Sequence, residues 1–367
     1  MSVRPIHYAA TALLLSAACA QEGASIPATP VRPARVLVAG TAFINADGTP
    51  FDWRGITAFR LVEQVAHGRE AEAVAYLDWA KGRGLTVLRV LTMARHLFEL
   101  TPADGLAALP RLLTLAAERG LHVEVVALAD TAAQEVDIDA HVAAVGKVAA
   151  AHTNAFVEIA NEPFHHTQHT SLHDRATLAR LTAFVPEAVV VAYGSDKPEA
   201  SGGGDYVTVH MPRGGAPWEH VTELAAGAAL VASYAKPVVS DEPIGAARVA
   251  ARGRRDNAPE RFRAAALLTR MTGMYATFHY EGGLQGRVPD GPELAAFEAW
   301  REAWTLLPGS VDPRSFRAVA GEQGARFEVT GADSTWILIV QDAPPPQGAI
   351  LVKRWEGSAL FRRPSPR

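Results

Sequence analysis

The runs HVEVVAL (122–128), DAHVAAVGKVAAA (139–151) and FVEIAN (156–161) carry the pattern that decides the fold. A short β-branched apolar run gives way to a longer Ala-rich segment with apolar residues three and four apart, and a second β-branched run follows. A two-residue period that switches to 3.6 and back marks a strand, a helix and a parallel strand. The same alternation recurs outward from this unit. Strand-like runs at Arg54–Phe59, Thr86–Leu91, Ala188–Tyr193, Tyr206–His210, Pro237–Glu242 and Met274–Tyr280 bring the strands to eight. Helix-like segments fill the gaps: Glu70–Arg83, Gly105–Arg119, Leu172–Ala183, His220–Tyr234, Pro259–Gly273 and Gly291–Trp304. Eight strands alternating with helices predict an α/β fold, the (β/α)8 TIM barrel, over residues 36–308.

The flanks read differently. Between Val36 and Arg54 two apolar patches surround Asp47-Gly48, a β-hairpin signal expected at the bottom of the barrel. Beyond Pro308 the strand-like stretches Ala325–Val329, Thr335–Ile339 and Ala349–Lys353 predict a small β-rich C-terminal region over 309–367 that caps the barrel. Residues 21–35 are rich in Pro and small residues without periodicity, as expected of a linker. Residues 1–20 have a basic start, the apolar run Ala9–Leu15 and small residues up to Ala20, the pattern of a signal peptide. Export is therefore expected, to the periplasm, the cell surface or the extracellular space. Leu15-Ser-Ala-Ala-Cys19 also resembles a lipobox, which would make Cys19 a lipid anchor, although Ser16 stands where Leu is preferred.

Composition excludes several classes. A formal net charge of −4 over 367 residues offers no basic field for phosphates, so nucleic acid is not an expected partner. Cys19 is the sole cysteine, so the globular part has neither an intramolecular disulfide nor a thiol nucleophile.

In a barrel of this kind chemistry belongs to the C-terminal ends of the strands. The fourth strand ends in Asn161-Glu162-Pro163 and the seventh in Asp241-Glu242-Pro243, so each brings a Glu to the mouth. Glycosidic cleavage needs one carboxyl to protonate the leaving oxygen and another to attack or to activate water from the opposite face. Strands four and seven lie on opposing sides of the ring, which suits Glu162 and Glu242 to these roles. Strict alternation would turn Asp241 away from the site, and a register slip would make it the nucleophile instead.

Asn161-Glu162-Pro163, together with a Glu ending strand seven, resembles the retaining glycoside hydrolases of clan A, most closely the family 5 (cellulase-like) barrels. The hairpin NADGTPFDWRGIT (45–57) resembles that family's opening, and Arg89 its strand-two arginine. The resemblance implies that Glu162 is acid/base and Glu242 nucleophile. By the same likeness Asn161 orients a sugar 2-hydroxyl and Arg89 keeps Glu242 ionised. The substrate would be a β-linked oligosaccharide or polysaccharide, and no cofactor is required. Carboxyl groups about 5 to 5.5 Å apart would go with retention, and about 6.5 to 9.5 Å with inversion.

His210 resembles the histidine this family often carries on strand six. Tyr193 on strand five is a further substrate-binding candidate. His279 stands where the family usually has a tryptophan that stacks under the sugar, and this departure bears on the substrate. Trp218 is expected to stack on a sugar, with Trp53 as the alternative, whereas Trp79, Trp300 and Trp304 fit core packing. Two rival readings stand beside the glycosidase. One is an exported barrel that binds glycans without cleaving them. The other is a metal-dependent hydrolase using the histidine-rich loop from His165 to Asp174.

Overall fold

The structure is a computed structural model that describes residues 33–195, 200, 202–212, 216–250, 255–307, 311–321 and 324–364. The stretches expected to be a signal peptide with a lipobox-like end, and most of the expected linker, lie outside the described residues. The description concerns the single compact unit that holds all of them.

The chain enters through two short antiparallel strands, β1 (Leu37–Ala39) and β2 (Ala42–Ile44). The expected turn at Asp47-Gly48 forms, with Gly48 at φ 82° and the amide of Phe51 donating to the carbonyl of Phe43 at 2.9 Å. A second reversal at Gly40-Thr41, φ 58° at Gly40, precedes it. This hairpin carries Phe43 into the floor of the barrel. The ring of Phe43 stacks on Trp53 at 5.0 Å and meets Phe156 and Tyr206 edge-on at 5.8 and 5.5 Å. Val87 and Val239 complete the plug.

The barrel strands are β3 (Arg54–Thr57), β4 (Val87–Leu91), β5 (His122–Leu128), β6 (Ala155–Asn161), β7 (Val191–Ser195), β8 (Val207–Val209) and β9 (Val238–Ser240), closed by β11 (Tyr275–Tyr280). A two-residue strand, β10 (Gly245–Ala246), runs beside the end of β11. The order β7-β6-β5-β4-β3-β11-β9-β8 is parallel throughout. All eight expected strands are present. Their nearly unbroken apolar runs follow from burial on both faces, as helices cover the outside and side chains fill the inside. Between β7 and β8 the ring is closed by the segment leading into β8. Asp205 donates its amide to Val191 at 2.7 Å, and Tyr193 donates to Gly203 at 3.1 Å.

Six of the seven expected helices form as single helices, and the stretch expected as His220–Tyr234 forms as two, Pro217–Glu223 and Gly227–Tyr234, joined by a 3-10 turn at Leu224–Ala226. Several helix starts have local causes. Thr101 caps the helix Pro102–Ala117, Asp137 caps Ile138–Ala150 and Asp174 caps Arg175–Thr182, each accepting backbone amides of the first turn. Among the described residues no helix is long and apolar enough to cross a membrane.

The C-terminal region is one antiparallel sheet: β12 (Val311–Gly321), β13 (Gly324–Gly331), β14 (Ser334–Gln341), β15 (Ile350–Trp355) and β16 (Ser358–Pro364), ordered β12-β13-β14-β16-β15. Three of these were expected. The lateral strand β12 escaped the pattern because it carries Pro313 and two arginines, Arg314 and Arg317, which an edge tolerates and a central strand does not. The sheet packs on the barrel's outer helices, with Pro313 against Gly273 and the Arg263 guanidinium 4.9 Å over Trp355.

Candidate active site

The site is built around one guanidinium. Arg89, in the middle of β4, is fully buried and projects into the barrel. Its Nε and Nη2 donate to the two carboxylate oxygens of Glu158 at 3.0 and 3.1 Å. Nη2 also donates to Oδ1 of Asn161 at 3.0 Å and to Oγ of Ser195 at 2.8 Å, while Nη1 reaches Oε1 of Glu242 at 3.4 Å. Asp241 lies 3.1 Å from Nε, and Glu124, its register partner on β5, lies 3.9 Å away.

Four carboxyl groups thus share one guanidinium in the dry interior, where an unpaired charge is costly. They do not all ionise. Burial, with Glu158 and Asp241 close by, pushes Glu124 well above the carboxylate range even though Tyr206 donates to it at 2.8 Å. Burial pushes Asp241 up to about 7 against the pull of Arg89 and His210. Arg89 stays cationic: burial opposes its charge, and Asp241, Glu158 and Glu242 more than offset this.

Above this base sits the mouth. β6 ends at Asn161, and Glu162 adopts a left-handed backbone at φ 43°, a conformation uncommon outside glycine and recurrent where function imposes it. The Glu162 carbonyl accepts the amide of His165 at 2.9 Å, which turns the chain immediately past the strand. Oε1 of Glu162 accepts from Nδ1 of His210 at 3.0 Å. Nε2 of the same imidazole lies 3.6 Å from Oε1 of Glu242 and 3.5 Å from Oδ1 of Asp241. On the other side of Glu242, Nε2 of His279 stands 3.6 Å from Oε2, and Nδ1 of His279 pairs with the hydroxyl of Thr57 at 3.0 Å. Glu242 is accordingly ringed by Arg89, His210 and His279.

Protonation follows from these neighbours. Burial disfavours a cationic His210, but Glu242, Asp241 and Glu162 push it up to about 9. Burial likewise resists ionisation of Glu162, and the hydrogen bond and charge of His210 outweigh it and hold that carboxyl below its ordinary range. Both directions favour a Glu162 carboxylate beside a cationic His210.

Arg89, Asn161, Glu162, His210, Glu242 and His279 converge as the sequence suggested. Arg89 occupies the Asn161 oxygen, so the amide nitrogen is the group left to face a ligand. Two candidates do not join them. Trp218 starts the helix Pro217–Glu223 and lies against Gly357 in the turn between β15 and β16, where it ties the C-terminal sheet to the barrel. The ring of Tyr193 packs over Gly203 at the β7–β8 seam. Trp53, the alternative stacking residue, belongs to the floor plug. Trp79 and Trp300 pack against Phe297 and Phe278.

Asp241 corrects the expectation from alternation. β9 ends at Ser240, and the bend from Asp241 to Ile244 frees Asp241 to turn inward beside Glu242. Glu124, Glu158 and Ser195 were missed altogether. A charged residue inside the apolar runs HVEVVAL and FVEIAN was the available signal, because a buried charge needs a partner. In the histidine-rich loop His165 pairs with Thr167 at 3.0 Å, His169 with Ser171 at 2.8 Å, and His173 with the carbonyl of His165 at 3.3 Å, while His165 also lies near enough to Glu162 to favour its ionised form. Among the described residues no group of three or more His, Cys, Asp or Glu side chains is arranged to hold a metal ion.

A cavity of about 690 Å³ opens at the opposite end of the barrel, lined by Trp53, Arg270, Tyr275 and Trp304 among others. It holds none of the convergent carboxyl groups, so the chemistry belongs to the mouth.

No protein-family profile matches the chain, and no curated protein matches it. Solved structures do. A Bacteroides vulgatus protein described provisionally as a glycoside hydrolase aligns over 87% of this chain and 68% of its own, at 17% identity and a TM-score of 0.60. A family 5 glycoside hydrolase from the same organism aligns over 84% of this chain and 82% of its own, at 16% identity and a TM-score of 0.53. The fold is that of the family 5 glycoside hydrolases. A β-glucanase from Saccharophagus degradans, solved with cellotetraose, shares it at 13% identity and a TM-score of 0.53, over 74% of this chain and 93% of its own.

Proposed function

We propose that this protein is a retaining glycoside hydrolase that cleaves a β-linked oligosaccharide or polysaccharide, with Glu162 as acid/base and Glu242 as nucleophile. One observation carries the reading: carboxyl groups from β6 and β9, across the barrel from each other, meet the two nitrogens of a single imidazole at the mouth. Arg89, His210 and His279 favour the ionised Glu242 that attack on an anomeric carbon requires. Glu162 protonates the departing oxygen as Glu242 bonds to the anomeric carbon, then takes a proton from the water that releases the sugar. The cellotetraose bound by the S. degradans enzyme favours a β-glucan among the first substrates to try.

Export is part of the proposal. A basic start, a short apolar run and small residues before Gln21 support a signal peptide, and Cys19 in a lipobox-like context supports a lipid-anchored variant of it. The test is hydrolysis of aryl β-glycosides and of β-glucan and mannan oligosaccharides, beside Glu242→Gln, with the anomer of the first product read by NMR. Turnover that Glu242→Gln abolishes, with a β-product, supports the reading. An α-product makes the enzyme inverting, and binding without turnover makes the barrel a glycan-binding protein.

A further inference from the structure

Asp241 has no task in the reaction as described, yet it is fully buried and touches the catalytic apparatus. Neither of its oxygens has a hydrogen-bond partner among the described residues. Its charged contacts are Arg89 of β4 at 3.1 Å and His210, past the end of β8, at 3.5 Å. The other groups facing it are Glu158 of β6, Glu124 of β5, Glu242 next in the chain, and Tyr206 before β8.

His210 consequently has a carboxyl at each nitrogen: Glu162 hydrogen-bonded at Nδ1, and Asp241 with Glu242 at 3.5 and 3.6 Å from Nε2, a buried nitrogen with no hydrogen-bond partner among the described residues. A neutral imidazole has one N–H and one lone pair, so it would turn a lone pair toward one of these carboxylates. Only the imidazolium serves both sides. We propose that Asp241, His210 and Glu162 form a proton relay, in which Asp241 is a positioning residue that keeps His210 doubly protonated so that His210 can recharge Glu162. The proposal rests on the glycosidase reading above.

The relay balances at each step. A proton passes from Nδ1 of His210 to the Glu162 carboxylate and on to the glycosidic oxygen, which keeps the electron pair of the breaking C–O bond. Glu242 forms its bond to the anomeric carbon, and His210 is left neutral. In the second half water bonds to that carbon, the Glu242 oxygen leaves with its pair, and the water proton returns through Glu162 to His210. The directions of titration agree: with Asp241 near 7 and His210 near 9, the interval between them is where the carboxylate and the imidazolium coexist.

The relay predicts a dependence on the leaving group, because a good one departs without a proton. In Asp241→Asn, kcat/KM for a phenyl or alkyl glycoside should fall at least about tenfold more than for the 2,4-dinitrophenyl glycoside of the same sugar. The alkaline limb should move down by about one pH unit, since an opposite charge 3.5 Å away sustains that much of the imidazolium's affinity for its proton. Equal losses on both substrates would make Asp241 merely structural and overturn the relay, as would no loss on either. Nitrogen NMR of wild-type His210 provides a readout that needs neither variant nor substrate. Both ring nitrogens should remain protonated at pH 8, and a neutral ring there overturns the proposal. If the wild type cleaves no glycoside, the functional reading falls and the relay has nothing to drive, while the NMR result still decides the charge of His210.

Discussion

Nδ1 of His210 lies 3.0 Å from Oε1 of Glu162, which on the proposed relay makes the two groups one acid. Glu162→Gln keeps the shape of the side chain and removes its capacity to carry the shared proton. Loss of a positioned general acid typically costs about 10²- to 10⁴-fold. We expect kcat/KM on unactivated glycosides to fall by that order in Glu162→Gln, and at least as far in Glu242→Gln. Steady-state kinetics on the sugar identified for the wild type checks both.

Stability should fall as pH rises. His210 is raised in the folded state to about 9 from an ordinary value near 6.5, so its contribution is complete below about 6.5 and lost as pH climbs through 9. Asp241, raised to about 7, acts in the same direction between the ordinary carboxylate range and 7. Glu162, held below its ordinary range, contributes the opposite slope at the acid end. Calorimetric Tm should therefore peak on the acid side of neutrality and decline toward pH 9. His210→Gln should flatten the part above 6.5.

Arg89→Met should destabilise the protein by about 3–5 kcal/mol at neutral pH, the usual cost of stripping a buried ion of its partner. Here the stranded group is a cluster, since Glu158, Asp241 and Glu242 all lean on the same guanidinium. Urea unfolding would report it, and the loss should shrink at lower pH as the carboxyls take up protons.

Phe43→Ala should cost about 3–5 kcal/mol through the cavity left among Trp53, Phe156 and Tyr206. kcat/KM well below the melting temperature should hold within about twofold. A large loss of activity without a loss of stability would show that the floor reaches the chemistry.

Trp218→Ala should lower Tm with KM unchanged, because the indole lies on Gly357 of the C-terminal sheet. A higher KM and an unchanged Tm would return Trp218 to the substrate.

The strands and helices were legible because a barrel writes its alternation directly into the chain, and Glu162 and Glu242 past the strand ends, with Arg89 in mid-strand, inherited their positions from it. Asp241 was misread because alternation holds only inside a strand, and β9 stops one residue too early. The contact of Trp218 was not legible because its partner, Gly357, belongs to a sheet remote in sequence, and a local pattern carries no information about such a contact. Glu124 and Glu158 were visible as charges in apolar runs, but their meaning depended on a register that only the folded ring supplies.

The plug of Phe43 on Trp53 has a further effect. Among the described residues it lies against Tyr206, whose hydroxyl donates to Glu124, and so stands between the buried acids and the lower end of the barrel. On the proposed function a sugar seated at the mouth would cover these acids from the other side. Their protons would then exchange with the medium mainly between one substrate and the next.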